Sequence, residues 1–185
     1  MVIIEHEFKH KPYTQRKKTT EITMHCAATP EGKDYTVDTI NKWHNDRSFN
    51  GIGYHYVIYR DGSIHRGRPE EVVGAHCVST NSKAIGICYI GGCAADGKTA
   101  KDTRTDAQKQ AQYELIEELL KKYNLTINDV KGHRDYDPKA CPSYTSQQFR
   151  DEYNKWKEQK YADELREKNK KVPITFCFLR DWFSH

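Results

Sequence analysis

A chain of 185 residues with 36% hydrophobic content is long enough for one compact domain with its own core and a short appendage. Thirty lysines and arginines against 26 acidic residues leave a formal charge of +4, concentrated at the ends: residues 1–20 hold five basic and two acidic side chains, residues 157–171 six and four. The near-neutral middle excludes a nucleic-acid-binding core, which needs a concentrated basic face against phosphates, and no apolar run approaches the roughly 20 residues that span a bilayer.

Residues 1–18 read as an N-terminal extension. Their apolar run, Val2 to Ile4, stops at Glu5, so the hydrophobic segment of a secretory signal is missing and a cytoplasmic place of synthesis is expected. Residues 22–28 alternate as a strand that opens onto a Thr29-Pro30 break and carries His25 near its end. Val37, Ile40, Trp43 and Arg47 recur at helical spacing and predict a helix over 37–47. Residues 53–60, rich in aromatic and β-branched types, predict a strand, and Asp61-Gly62 a hairpin turn into 63–66. The near-continuous apolar run 84–90, closed by Gly91-Gly92, predicts a central strand covered on both faces.

Thr105 with Gln108 forms a capping-box pattern ahead of a wide apolar stripe through Ala111, Leu115, Leu119 and Tyr123, which makes a second helix. Residues 129–135 predict a short strand leading into a loop stiffened by Pro138 and Pro142. Phe149, Tyr153 and Trp156 mark a last helix whose continuation, 157–171, is two-thirds charged. An apolar end then holds Ile174, Phe176, Phe178 and Leu179, which is expected to pack back on the domain or to bind a partner. The expected division is an extension at 1–18, a catalytic domain at 19–156 and a charged helix with an apolar tail at 157–185. The fold class is α/β, a mixed central sheet flanked by helices.

Six cysteines without a secretory signal read as free thiols or metal ligands rather than a disulfide framework. Cys26 and Cys88, inside apolar runs, read as inert core filler. Among nine histidines, His133 stands out by its company, since Cys141-Pro142 follows eight residues later on the stiffened loop. One imidazole and one thiol on a rigid loop suit a zinc site of three protein ligands with a fourth position open for water. His25 and His55 are both candidates for the third ligand.

Five segments, in order, carry a resemblance. They are Met24-His25-Cys26, Gly53-Tyr54-His55-Tyr56 with Asp61-Gly62, Gly74-Ala75-His76, Ile85-Gly86-Ile87-Cys88 with Gly91-Gly92, and Gly132-His133 with Pro138-Lys139 and Cys141-Pro142. Together, over about residues 19–153, they resemble the phage-type N-acetylmuramoyl-L-alanine amidases, the amidase lysozymes related to the peptidoglycan recognition proteins. The resemblance implies that fold, one Zn2+ per chain held by His25, His133 and Cys141, and assisting roles for Tyr54 and Lys139 at the attacking water and the oxyanion. It implies a substrate-cleft place for His76 and leaves His55 pointing away from Tyr54, because neighbours on a strand face opposite ways. The substrate implied is peptidoglycan, cut between N-acetylmuramic acid and L-alanine, by an endolysin made without a signal and acting on the cell wall after release. Recycling amidases of similar pattern carry an aspartate where Cys141 stands, and silent recognition proteins lose that cysteine. Cys141 therefore favours a lytic enzyme over the alternative, a catalytically silent peptidoglycan-binding protein of the same fold. Residues 157–185 have no counterpart in the family.

Overall fold

The computed structural model describes residues 1–170, so the apolar end discussed above lies outside the described residues. In chain order the strands and helices are β1 (Ile3–Ile4), β2 (Glu21–Cys26), β3 (Thr29–Pro30), α1 (Val37–Asp46), β4 (Tyr56–Ile58), β5 (Ile64–Arg66), β6 (Ala84–Tyr89), β7 (Gly92–Cys93), α2 (Asp106–Tyr123), β8 (Val130–Gly132) and α3 (Ser146–Lys170). The chain divides into two units, Met1–Asp151 and Glu152–His185. No helix among the described residues is long and apolar enough to cross a membrane.

The first unit is built on a six-stranded mixed sheet in the order β1-β5-β4-β6-β2-β8, with β3 and β7 as a separate parallel pair. β6 lies between β2 and β4, parallel to both, and all six of its residues are buried. This is why its sequence is an unbroken apolar run rather than an alternating one. β4 and β5 pair antiparallel through a turn in which Gly62 takes a φ of +87°, a conformation open to glycine at no steric cost. Residues 1–18 contribute β1 to the sheet edge, parallel to β5, and Arg16, whose guanidinium donates to the carbonyls of Val72 and Ala84 at 2.9 and 3.1 Å.

The predicted strand over 53–60 is shorter than its composition suggests. Gly53 gives its N–H to the His44 ring at 2.8 Å and its carbonyl to the Ala75 N–H, so ladder pairing begins only at Tyr56. α1 starts at Thr36, whose hydroxyl accepts the Thr39 N–H, and packs Val37 and Ile40 with Ile52, Val57 and Ile90 in a core cluster. α2 opens with the expected reciprocal cap between Thr105 and Gln108 and buries Leu115, Ile116 and Leu119. In the second unit, the described part of α3 is a solvated helix laced by pairs such as Arg166–Asp163 at 3.0 Å and Lys170–Glu167 at 2.6 Å.

Candidate active site

Strand register brings the first two candidate donors together. β2 and β8 are parallel neighbours, with Ile22 opposite Val130 and Met24 opposite Gly132. The next residue on each, His25 and His133, therefore emerges at the same level at the carboxyl ends of the strands, where open α/β sheets place their sites. The two rings lie 4.7 Å apart between centroids. Cys141 is returned to this point by the loop after β8, with the Arg134 N–H donating to the Cys141 carbonyl at 2.8 Å.

One donor atom each from His25, His133 and Cys141 lies within 4.8 Å of the others. His25 Nδ1 faces Cys141 Sγ at 3.7 Å. A tetrahedral zinc with bonds of about 2.0 Å to nitrogen and 2.3 Å to sulfur would hold those two atoms about 3.5 Å apart, so the donors fit the ion in both chemistry and spacing. Burial, with His76 and His133 adding to it, holds His25 well below the ordinary imidazole range. The ring is thus neutral and its lone pair available.

The far sides of both rings are occupied. His25 Nε2 is 3.0 Å from His76 Nδ1, and His133 Nε2 is 2.8 Å from Asp137 Oδ2. Such outer partners select the tautomer and orient the ring of a ligating histidine. His76, half-buried, can present this nitrogen because Gly86 of β6 has no side chain, as a Cβ there would come within 2.4 Å of the His76 ring. The hydrogen bond from His133 keeps the Asp137 carboxyl below its ordinary range, and the same oxygen lies 3.4 Å from the exposed Lys139 Nζ.

Tyr54 sits against the donor cluster, its ring 5.1 Å from that of His25 and packed on the core cluster under α1. Burial first, and then the neighbouring thiols of Cys88, Cys141 and Cys26, push its phenol well above the ordinary range; it remains a proton donor at any working pH. His55 is elsewhere, with Nδ1 accepting the Gly86 N–H at 2.9 Å and Nε2 bonded to the Val72 carbonyl at 3.0 Å.

Two residues given no role at the site from the sequence bear on it. Asp137 carries a signal in retrospect, an acid four residues after His133 inside the proline-stiffened loop. Cys26 is buried as expected, yet it is not inert. Its N–H donates to Cys141 Sγ at 3.3 Å, and hydrogen bonding between the two thiols lowers Cys26 and raises Cys141. A divalent cation at Cys141 reverses that order, since a coordinating thiol loses its proton outright. A cavity of about 610 Å³ lined by His6, Tyr13, Arg66, Glu70 and Lys122, among others, includes none of the donors.

A mixed sheet flanked by helices, with three candidate metal donors at its carboxyl edge, is an α/β architecture with a candidate metal centre. Residues 15–144 match the family model described as N-acetylmuramoyl-L-alanine amidase. The endolysin of Klebsiella phage KP32 is 38% identical over 132 residues, which cover 71% of this chain and 85% of that protein. The endolysin of Escherichia phage T7 is 37% identical over the same shares. Among solved structures, N-acetylmuramoyl-L-alanine amidase LysC from Clostridium intestinale URNW superposes with a TM-score of 0.72 at 29% identity, covering 83% of this chain and 98% of that one. The chain belongs to the N-acetylmuramoyl-L-alanine amidase family.

Proposed function

We propose that the protein is a zinc-dependent endolysin that hydrolyses the amide bond between N-acetylmuramic acid and L-alanine in bacterial peptidoglycan, acting on the cell wall after release from the cell that makes it. The observation that carries this reading is the convergence of His25, His133 and Cys141 within 4.8 Å, in a chain whose phage relatives bear the name endolysin. A zinc ion held by these residues supplies a Lewis acid and lowers the proton affinity of water at its open position.

The protein's own groups do the rest. His76 and Asp137 hold the two ligand rings in register. Tyr54, kept protonated, donates a hydrogen bond toward the scissile carbonyl oxygen as charge develops there, and Lys139, on a loop that Asp137 and the two prolines steady, brings an ammonium to the same oxyanion. His76 would then reach the substrate cleft only through the His25 ring it orients. The division into an extension at 1–18, a catalytic domain at 19–156 and a tail is proposed on the same footing, with the catalytic chemistry confined to the middle segment.

The test is elemental analysis of the wild type and Cys141→Ser together with product analysis on purified peptidoglycan. One zinc per wild-type chain as purified without added metal, its loss in Cys141→Ser, and new alanine N-termini without new reducing sugar ends are expected. Reducing ends would make the protein a glycosidase, and equal zinc in both proteins would remove Cys141 from the site.

A further inference from the structure

A second group of metal-type donors meets on the other side of His133. Cys77 Sγ, a His133 ring nitrogen and an Asp137 carboxylate oxygen all lie within 4.8 Å of one another. Cys77 plays no part in the first cluster and is in no disulfide. Its loop is pinned by Asn81, whose Oδ1 accepts the N–H groups of His76 and Cys77 at 2.8 and 2.9 Å, so the thiol is held in place beside the ring. Cys77 is buried, while the Asp137 side chain is one-third exposed, which leaves an ion a way in from the carboxylate side.

Thiolate, imidazole and carboxylate together suit zinc, cobalt or cadmium and are wrong for magnesium or calcium, which take oxygen shells. We propose that Cys77, His133 and Asp137 form a second site for a thiophilic divalent cation, and that filling it inhibits the enzyme. On loading, Cys77 Sγ and His133 Nε2 each release a proton to solvent and Asp137 enters already ionised, so the His133 ring bridges two ions. The carboxylate is drawn off the His133 N–H and away from Lys139. Loss of such an outer partner typically costs about 10- to 100-fold in affinity or activity. The inference rests on the reading of His133 as a ligand of the first site, and its test separates the two.

The full chain, stripped of metal, is titrated with Zn2+ in equilibrium dialysis with elemental analysis, and in parallel with Co2+ while thiolate-to-cobalt absorption is recorded. Two equivalents are expected for the wild type, the second adding new thiolate absorption; Cys77→Ala should bind one equivalent and lack that second increment. Hydrolysis should rise with the first equivalent, fall at least about tenfold with the second, and stay high in Cys77→Ala. Cys77→Ser serves as the second variant if the alanine protein melts early. A wild type that saturates at one equivalent, or a Cys77 variant that keeps the second, overturns the proposal. A second equivalent that binds without loss of turnover overturns its inhibitory part. Two equivalents retained in Cys141→Ser would instead refute the first site and leave this one standing.

Discussion

The roles proposed for Tyr54 and Lys139 rest on different physical anchoring. Tyr54 is anchored in the core cluster, and burial keeps its hydroxyl protonated. Lys139 is exposed and tethered by Asp137 at 3.4 Å. Tyr54→Phe removes one hydroxyl and leaves the ring packing, so zinc content and melting temperature should hold while turnover falls about 100- to 1,000-fold. Lys139→Ala should do the same, with the loss in the catalytic rate rather than in the Michaelis constant. Steady-state kinetics on a defined muropeptide check this; an intact rate with a raised Michaelis constant would make Lys139 a binding residue for stem-peptide carboxylates. At this scale His25, His133 and Cys141 were legible because their neighbours in sequence form recognisable motifs. Asp137 was not, because a carboxylate in a loop looks like any solvated acid until the register of β8 turns the His133 ring onto it.

The element in which sequence and structure agree most closely is α2, and the structure adds a second duty to its cap. Gln108 closes the capping box with Thr105, and its side chain, fully buried, also donates to the carbonyls of Ile58 and Ile90 at 3.2 and 2.9 Å. One amide therefore fastens the start of α2 to the end of β4 and to the residue that follows β6. Ile58 would keep the Ile90 N–H at 3.0 Å, so truncation would leave the buried Ile90 carbonyl unpaired at about 1–3 kcal/mol, beyond the roughly 1 kcal/mol of a lost cap. Gln108→Ala should lower unfolding stability by about 3 kcal/mol in urea denaturation. A loss near 1 kcal/mol would mean that only the cap matters. The capping box is a local pattern and could be read directly; the two strand carbonyls are about 50 and 18 residues away, and no local pattern reports them.

Across the whole molecule several imidazoles are held below their ordinary range by burial, His25 and His76 among them, and His44 and His55 add to the response to acid. Burial holds His44 at about 4 and His55 at about 3, against an ordinary 6.5, and each accepts a backbone N–H that a protonated ring could not accept. The unfolded chain therefore takes up protons first as pH falls. Stability is whole above about pH 6.5 and declines down to about pH 4 for His44 and pH 3 for His55. For His44 the loss is on the order of 3 kcal/mol, at about 1.4 kcal/mol per pH unit. Thermal melts from pH 7 to 4 should show this slope, and His44→Gln, which keeps an acceptor for Gly53 without a titrating group, should flatten it. An unchanged slope would assign the acid sensitivity elsewhere.

Hydrophobic periodicity, caps and turn residues act over a few positions, so the helices at 37–47 and after Thr105, the turn at Asp61-Gly62 and the buried strand at 84–90 follow from the chain alone. The motif resemblance also points to His25, His133 and Cys141 as candidate donors, and these three converge in the structure. The pairing of β1 with β5, the late start of ladder pairing at Tyr56, the coupling of Cys26 to Cys141 and the meeting of Cys77 with Asp137 across His133 depend on contacts between segments far apart in the chain. Those are decided by tertiary contacts, at the candidate site by the parallel register of β2 with β6 and β8 that brings strand ends together, since side-chain chemistry depends on distance in space and not along the sequence.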